Sequence, residues 1–180
     1  MKHADHVALI EGGVRGAGGR WLELGAGNGE FTLARADVQG AGVKIVAVDL
    51  DTWALADLAG RVEQRFPDAA VETITGDFRH GLPDGPFDGV LAANSLHFVA
   101  RVEPVLEAIR AVLAPEGRLV LVEYDADRGN PYVPHPISFA RWMDLAPEAG
   151  FTAPRLLHRV PSRFLGAIYG CVAEVSPTPA

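Results

Sequence analysis

Apolar positions along this chain alternate between short continuous runs and longer stretches with a helical repeat, a pattern that predicts an α/β fold. Val7, Ile10 and Val14 fall at helical spacing around a short first helix, Ala4 to Glu11, before the chain dissolves into glycines. Trp21 opens an apolar run that passes through Gly25, Gly27 and Gly29 into a helix from about Glu30 to Val38, ended by Gly40 and Gly42. Val43 to Val48 is apolar and β-branched throughout, as expected for a strand buried on both faces of a parallel sheet. Leu55, Leu58, Val62 and Phe66 mark one face of a helix that Pro67 closes. Val71 to Thr75 and Phe87 to Ala93 are the next strands. A helix begun by Pro104 then buries Val105, Leu106, Ile109, Val112 and Leu113, and the turn Pro115-Glu116-Gly117 stops it. Leu119 to Val122 is a fifth apolar strand. This alternation of strand and helix requires right-handed crossovers and a parallel sheet.

Beyond Asp125 the pattern changes. Residues 126–137 hold three prolines and cannot be helical. Ser138 can cap a helix through Trp142 and Leu145 that Pro147 should end near Ala146. Pro154 to Val160 and Phe164 to Glu174, separated by Pro161-Ser162-Arg163, read as an antiparallel terminal hairpin.

At 180 residues, 48% hydrophobic and 22% charged, the composition fits one domain across residues 1–180 with a single core. A net charge of −7 without a Lys/Arg run makes nucleic acid a poor partner and favours small molecules. The lone Cys171 excludes an internal disulfide and a Cys-cluster metal site, and reads as a small buried hydrophobe. His3 and His6 lack a third ligand, so they read as solvated residues and no metal is expected. With neither an export pattern nor an apolar run of spanning length, the expectation is a cytoplasmic protein without membrane association.

The chemistry lies at the ends of the strands. Gly25, Gly27 and Gly29 allow positive φ or close approach of a ligand, and the helix behind them offers free N–H groups to a carboxylate or phosphate. The third glycine of the dinucleotide fingerprint is here replaced by Glu30. Asp49 ends the second strand about 20 residues beyond the glycines, placed to accept from ribose hydroxyls. Asp51 reads as a helix N-cap. The third strand ends in Gly76-Asp77-Phe78 and the fourth in Asn94-Ser95-Leu96-His97-Phe98, on the same edge. Ligands of open α/β sheets bind there.

The ordered set Glu23-Leu24-Gly25-Ala26-Gly27-Asn28-Gly29, Val48-Asp49-Leu50, Gly76-Asp77-Phe78, Asn94-Ser95-Leu96-His97 and Leu113-Ala114-Pro115-Glu116-Gly117-Arg118-Leu119 resembles the class I S-adenosylmethionine-dependent methyltransferases over nearly the whole chain. The resemblance implies a three-layer Rossmann-like fold with a seven-stranded, mostly parallel sheet and an antiparallel C-terminal hairpin. It implies that S-adenosylmethionine is bound and S-adenosylhomocysteine released. Glu23 and Gly25 to Gly29, with Ala26 and Asn28 between them, would wrap the methionine part and ribose. Asp49 would hold the ribose hydroxyls, Leu50 would pack on adenine, and Asp77 and Phe78 would read the adenine edge. Asn94, Ser95 and Leu96 would lie near the methionine end. Pro115-Glu116-Gly117 departs from the usual Pro-Gly-Gly turn, far from the expected site.

His97 is the candidate catalytic base, and it reads equally as a hydrogen-bonded wall residue. Tyr124, Asp125, Tyr132 and His135 are candidates for contacting a small-molecule acceptor, with loop packing as the other reading. The acceptor pocket is shallow, or is completed by residues 1–19, by residues 125–137 or by a second subunit in a homodimer. Two further functions stay open: a nicotinamide-dependent oxidoreductase, disfavoured by Glu30, and a non-catalytic S-adenosylmethionine-binding protein or partner subunit.

Overall fold

The continuous apolar runs become central strands because only burial on both faces removes that much apolar surface from water. In the computed structural model, which describes residues 1–177, the strands are β1 (Arg20–Leu24), β2 (Lys44–Asp49), β3 (Ala70–Thr75), β4 (Phe87–Ala93), β5 (Leu113–Tyr124), β6 (Arg155–Pro161) and β7 (Ala167–Glu174). They form one seven-stranded sheet in the order β3-β2-β1-β4-β5-β7-β6. The first five strands pair in parallel, and β7 runs antiparallel to both β5 and β6. The chain thus turns back on itself once, at the terminal hairpin. The edge strands β3 and β6 carry polar groups such as Glu72, Thr73, His158 and Arg159, which discourage further pairing.

Helices α1 (His3–Val14), α2 (Glu30–Gln39) and α3 (Thr52–Arg65) cover one face, and α4 (Glu103–Val112) and α5 (Phe139–Glu148) the other. Strand alternation assigns the layers. Leu22, Val90, Leu119 and Leu121 pack with Leu106 and Ile109 of α4 and Trp142 of α5, whereas Trp21, Leu91, Val120 and Val122 pack with Leu9 and Ile10 of α1 and Phe31 of α2. The approach of α1 to the sheet is close: a Cβ at Gly170 would collide with the Leu9 carbonyl, so no larger residue fits there. Asp51 caps α3 as expected, accepting from the N–H groups of Trp53 and Ala54 at 2.9 and 3.1 Å.

Several expectations need correction. Strand and helix do not alternate throughout, since residues 76–86 join β3 to β4 without a helix. Leu113 is not the last buried residue of α4 but the first of β5, paired with Phe87, and Pro115-Glu116-Gly117 lies in an irregularity before pairing resumes at Gly89 and Arg118. Helix α5 runs through Pro147 to Glu148. Proline is tolerated there because it sits in the last turn, where Ala149 N–H still reaches the Leu145 carbonyl at 3.0 Å. The first helix extends to Val14, and its Leu9, Ile10 and Val14 are buried in one layer of the fold. His6 is buried rather than solvated: it packs on Phe31 with ring centroids 4.8 Å apart, and burial pushes its pKa down. His3 bonds Asp37 at 3.0 Å, and among the described residues no cluster of His, Cys, Asp or Glu could hold a metal. Cys171 is fully buried as expected, and no described helix is long and apolar enough to cross a membrane.

Candidate functional site

The parallel strands deliver their C-terminal ends to one rim, and the glycine turn after β1 begins the site. Gly25, Gly27 and Gly29 all have positive φ, at 70°, 53° and 86°. Two of them also lack room for a side chain, since a Cβ at Gly25 would stand 2.6 Å from Ser95 Cβ, and one at Gly29 would stand 2.7 Å from Leu58 Cγ. The turn is pinned to β2 by hydrogen bonds from the Gly25 and Ala26 N–H groups to the Val48 carbonyl, at 2.8 and 3.1 Å. Asp49 completes it: one carboxylate oxygen accepts from Gly27 N–H at 2.7 Å and the other from Asp51 N–H at 2.9 Å. A carboxylate has about four acceptor positions, so Asp49 keeps capacity for a ligand's hydroxyls.

Beside this turn lies a cleft of about 350 Å³. It brings together Gly25, Asp49, Leu50, Asp77, Phe78, Asn94 and Ser95 from four different strand ends, as the sequence predicts. Leu50 is 62% exposed here, an apolar side chain held at the mouth of a cleft. Asn94 adopts φ 53°, the left-handed region that asparagine enters more readily than other non-glycine residues, which turns the chain sharply at the end of β4. Asn94 Oδ1 and Ser95 Oγ are both buried without a hydrogen-bond partner among the described residues. Buried polar atoms left in that state are costly unless a ligand or water satisfies them.

Other expected residues lie elsewhere. Glu23 sits beneath the turn, 3% exposed, accepting from Thr32 Oγ1 at 2.7 Å, because its place on β1 directs it toward the α1/α2 layer. Burial pushes its pKa up to about 7 against the opposing pull of Thr32 and Arg35. The Ala26 methyl packs in the core with Leu33 and Leu55, and the Leu96 side chain is fully buried under the short turn Leu96–Phe98, so neither lines the cleft. Asn28 is exposed, and its carbonyl accepts from Arg61 at 2.6 Å. Asp125 ties α5 to β6, accepting from Phe139 N–H at 2.9 Å and pairing with Arg159 at 3.0 Å. Tyr132 is 74% exposed at the tip of the irregular loop, and the exposed His135 uses its backbone, donating to the His97 carbonyl at 3.0 Å.

The structure adds three residues that sequence reasoning missed. Arg79 lines the cleft and grips Asp77, its Nε at 2.8 Å and 3.1 Å from the two carboxylate oxygens and its Nη2 at 2.7 Å. Together with His80 at 3.2 Å, it holds the Asp77 pKa down at about 2. Phe98 lines the cleft as well, and its ring lies 4.3 Å from that of His97. The third is Glu123. Fully buried at the end of β5, it accepts from His97 Nδ1 at 3.0 Å and from the N–H groups of His97 and Tyr124 at 3.1 Å each. A carboxylate on Nδ1 favours the tautomer with its proton there and leaves Nε2, which forms no hydrogen bond among the described residues, as the acceptor nitrogen; the ring is 3% exposed and lies behind Phe98 instead of lining the cleft.

Residues 22–121 match the family described as Methyltransferase domain. The chain is 31% identical over 120 residues to a ubiquinone/menaquinone biosynthesis C-methyltransferase of Ectopseudomonas mendocina, covering 66% of this chain and 46% of that protein. The chain thus spans about half the length of the curated relatives it matches, between 43% and 46% for the first of them. Among solved structures it superposes with a TM-score of 0.76 on a Burkholderia thailandensis 1,6-didemethyltoxoflavin-N1-methyltransferase that contains S-adenosylhomocysteine, at 22% identity over 97% of this chain and 78% of that one. The YcgJ protein of Bacillus subtilis gives a TM-score of 0.72 at 13% identity, over 98% of this chain and 100% of that one. With this sheet order, this glycine turn and a family match over more than half its length, the chain belongs to the class I S-adenosylmethionine-dependent methyltransferases.

Proposed function

We propose that this chain transfers a methyl group from S-adenosylmethionine to a small-molecule acceptor that must lose a proton, with His97 as the base. The residues of the cleft fit the cofactor. Asn94 Oδ1 and Ser95 Oγ are unpartnered and buried, Asp49 keeps free acceptor capacity, and a Cβ at Gly25 would fill the cradle. Asp49 would hold the ribose hydroxyls, Leu50 and Phe78 would flank the adenine, and Asn94 and Ser95 would face the methionine end. When bound, the cofactor supplies an electrophilic methyl group on a sulfonium. The protein's share is to hold the acceptor atom in line at about 3 to 3.5 Å and to exclude water, which is worth roughly 7 to 11 kcal/mol.

The observation that carries the acceptor chemistry is the buried Glu123–His97 pair. A carboxylate without solvent, committed to one imidazole nitrogen, is expensive to bury and makes the other nitrogen a proton acceptor. An acceptor already neutral and nucleophilic has no use for it. Hydroxyl and activated carbon acceptors do, and the relative named for C-methylation is compatible with that choice. Single-domain organisation over residues 1–180 and action in the cytoplasm without nucleic acid belong to the same proposal, and the net charge of −7 disfavours a nucleic-acid partner.

Calorimetry with S-adenosylhomocysteine and with NADH, followed by a metabolite screen with methyl-labelled S-adenosylmethionine, tests the proposal. Saturable homocysteine-cofactor binding and label on an O or C acceptor are expected. Binding of NADH alone would overturn the cofactor, and tight cofactor binding with no labelled product in any extract would favour a non-catalytic role.

A further inference from the structure

A second cavity, of about 510 Å³, opens at the end of β5 on the face that carries α1. Its volume is that of a site for a molecule of some tens of atoms. Tyr124, Ile168 and Phe164 supply apolar walls, and Lys2, Asp5 and Arg163 stand among them. Between this cavity and the cofactor cleft stands the buried His97, which lines neither: its ring lies edge-on to Tyr124 of the cavity at 5.4 Å and against Phe98 of the cleft at 4.3 Å. A molecule seated against Tyr124 is therefore one aromatic ring away from the imidazole that Glu123 orients.

The charges are not balanced. Asp5 accepts from Lys2 N–H at 2.8 Å at the start of α1, whereas neither the Lys2 nor the Arg163 side chain forms an ion pair among the described residues. In a chain of net charge −7 the cation of the cofactor cleft is already spoken for, since Arg79 is committed to Asp77. The loop bearing Arg163 is built into the rim, because Asn130 Nδ2 donates to the Phe164 carbonyl at 3.2 Å and Ser162 N–H to the Gly166 carbonyl at 3.0 Å. Aromatic walls with a cationic rim suit a flat apolar body bearing an anionic group.

We propose that this cavity is the acceptor site and that the acceptor is a ring-bearing small acid, its ring against Tyr124 and Phe164 and its carboxylate toward Arg163 and Lys2. This rests on the methyl-transfer reading above, and the test separates the two. The chain saturated with S-adenosylhomocysteine is titrated with a panel of hydroxybenzoates, hydroxycinnamates and indole carboxylates, each beside its neutral methyl ester. At least one acid is expected to bind roughly ten-fold more tightly than its ester, and Arg163→Glu to erase that preference while affinity for S-adenosylhomocysteine stays the same. No preference for acid over ester across the panel, or a preference indifferent to Arg163→Glu in a folded variant, overturns the proposal and leaves methyl transfer standing. Failure of the wild-type chain to bind S-adenosylhomocysteine overturns both.

Discussion

The Glu123 carboxylate holds His97 twice, through ring Nδ1 at 3.0 Å and through the backbone N–H at 3.1 Å, so one buried side chain fixes both the place and the orientation of the imidazole. Glutamine at this position would keep the shape but remove the charge and replace one of two oxygens, each of which accepts a backbone N–H and lies within 3.1 Å of Nδ1, by an N–H donor, so the imidazole loses its anionic partner and its fixed orientation. Glu123→Gln and His97→Ala are both expected to lower turnover by roughly 10²- to 10⁴-fold, the range for a positioned base. Affinity for S-adenosylhomocysteine should change little in either. Steady-state rates with calorimetric binding on the same preparations check this, and a Glu123→Gln enzyme of normal turnover would leave the pair a purely structural role.

Asp49 is the hinge between the glycine turn and β2, each of its oxygens already bonded to one backbone N–H. Replacing it with alanine removes charge-assisted bonds to the ligand and to Gly27 together. Binding of S-adenosylhomocysteine should weaken by about 1.5 to 3 kcal/mol, or roughly 10- to 150-fold. Calorimetry on the folded variant decides, and an unchanged dissociation constant would take Asp49 out of the site.

Asp77 reads from the sequence as an acceptor for the adenine amino group, yet Arg79 and His80 between them occupy its acceptor positions. With about four lone-pair sites on a carboxylate, no capacity is left for adenine until the Arg79 side chain swings away. Arg79→Ala frees Asp77 and removes a cation from a cleft that must admit a sulfonium. The expected result is several-fold tighter binding of S-adenosylmethionine, with a smaller gain for S-adenosylhomocysteine, which lacks the sulfonium charge. Equal or weaker binding of both would show that Arg79 works with the ligand rather than against it.

The legible part of this molecule was its local chemistry. Runs such as Val43 to Val48 and repeats such as Leu55, Leu58 and Val62 reveal strands and helices because burial on a fixed period leaves a trace in neighbouring residues. Strand ends then placed Asp49, Asp77 and Asn94 on one rim. What stayed hidden depends on distant partners. Glu123 looks like any carboxylate after an apolar strand, and only the return of His97 from 26 residues earlier makes it buried and bonded. The mismatch between β4 and β5 that absorbs Pro115-Glu116-Gly117 arises from pairing, not from the turn residues themselves. Glu23 misleads for a related reason, since its position beside the glycines suggests the ligand while the alternation of β1 turns it toward Thr32.

That inward turn gives Glu23 a measurable signature. Its pKa is raised by burial to about 7 from an ordinary 4.5, while Arg35, 1% exposed and stacked 4.4 Å from the Trp21 ring, is pushed down to about 10 by the same lack of solvent. Between about pH 4.5 and 7 the folded chain holds a proton that the unfolded chain has released. Stability from this group is therefore full below about pH 4.5 and lost as pH rises through about 7, a change on the order of 3 kcal/mol. His6, whose pKa is lowered by burial, acts with the opposite sign, losing stability as pH falls below 6.5. It contributes equally to wild type and to Glu23→Gln, so the difference between them isolates Glu23. Glutamine mimics the protonated acid and still accepts from Thr32. Urea denaturation should give equal stabilities at about pH 4 and an advantage for Glu23→Gln of roughly 1 to 3 kcal/mol at about pH 8. Parallel curves would mean that Glu23 is already ionised at low pH, held by Arg35. A diverging pair would place a proton-dependent strain two residues before the first glycine of the cradle, and cofactor affinity should then fall across the same interval in wild type alone.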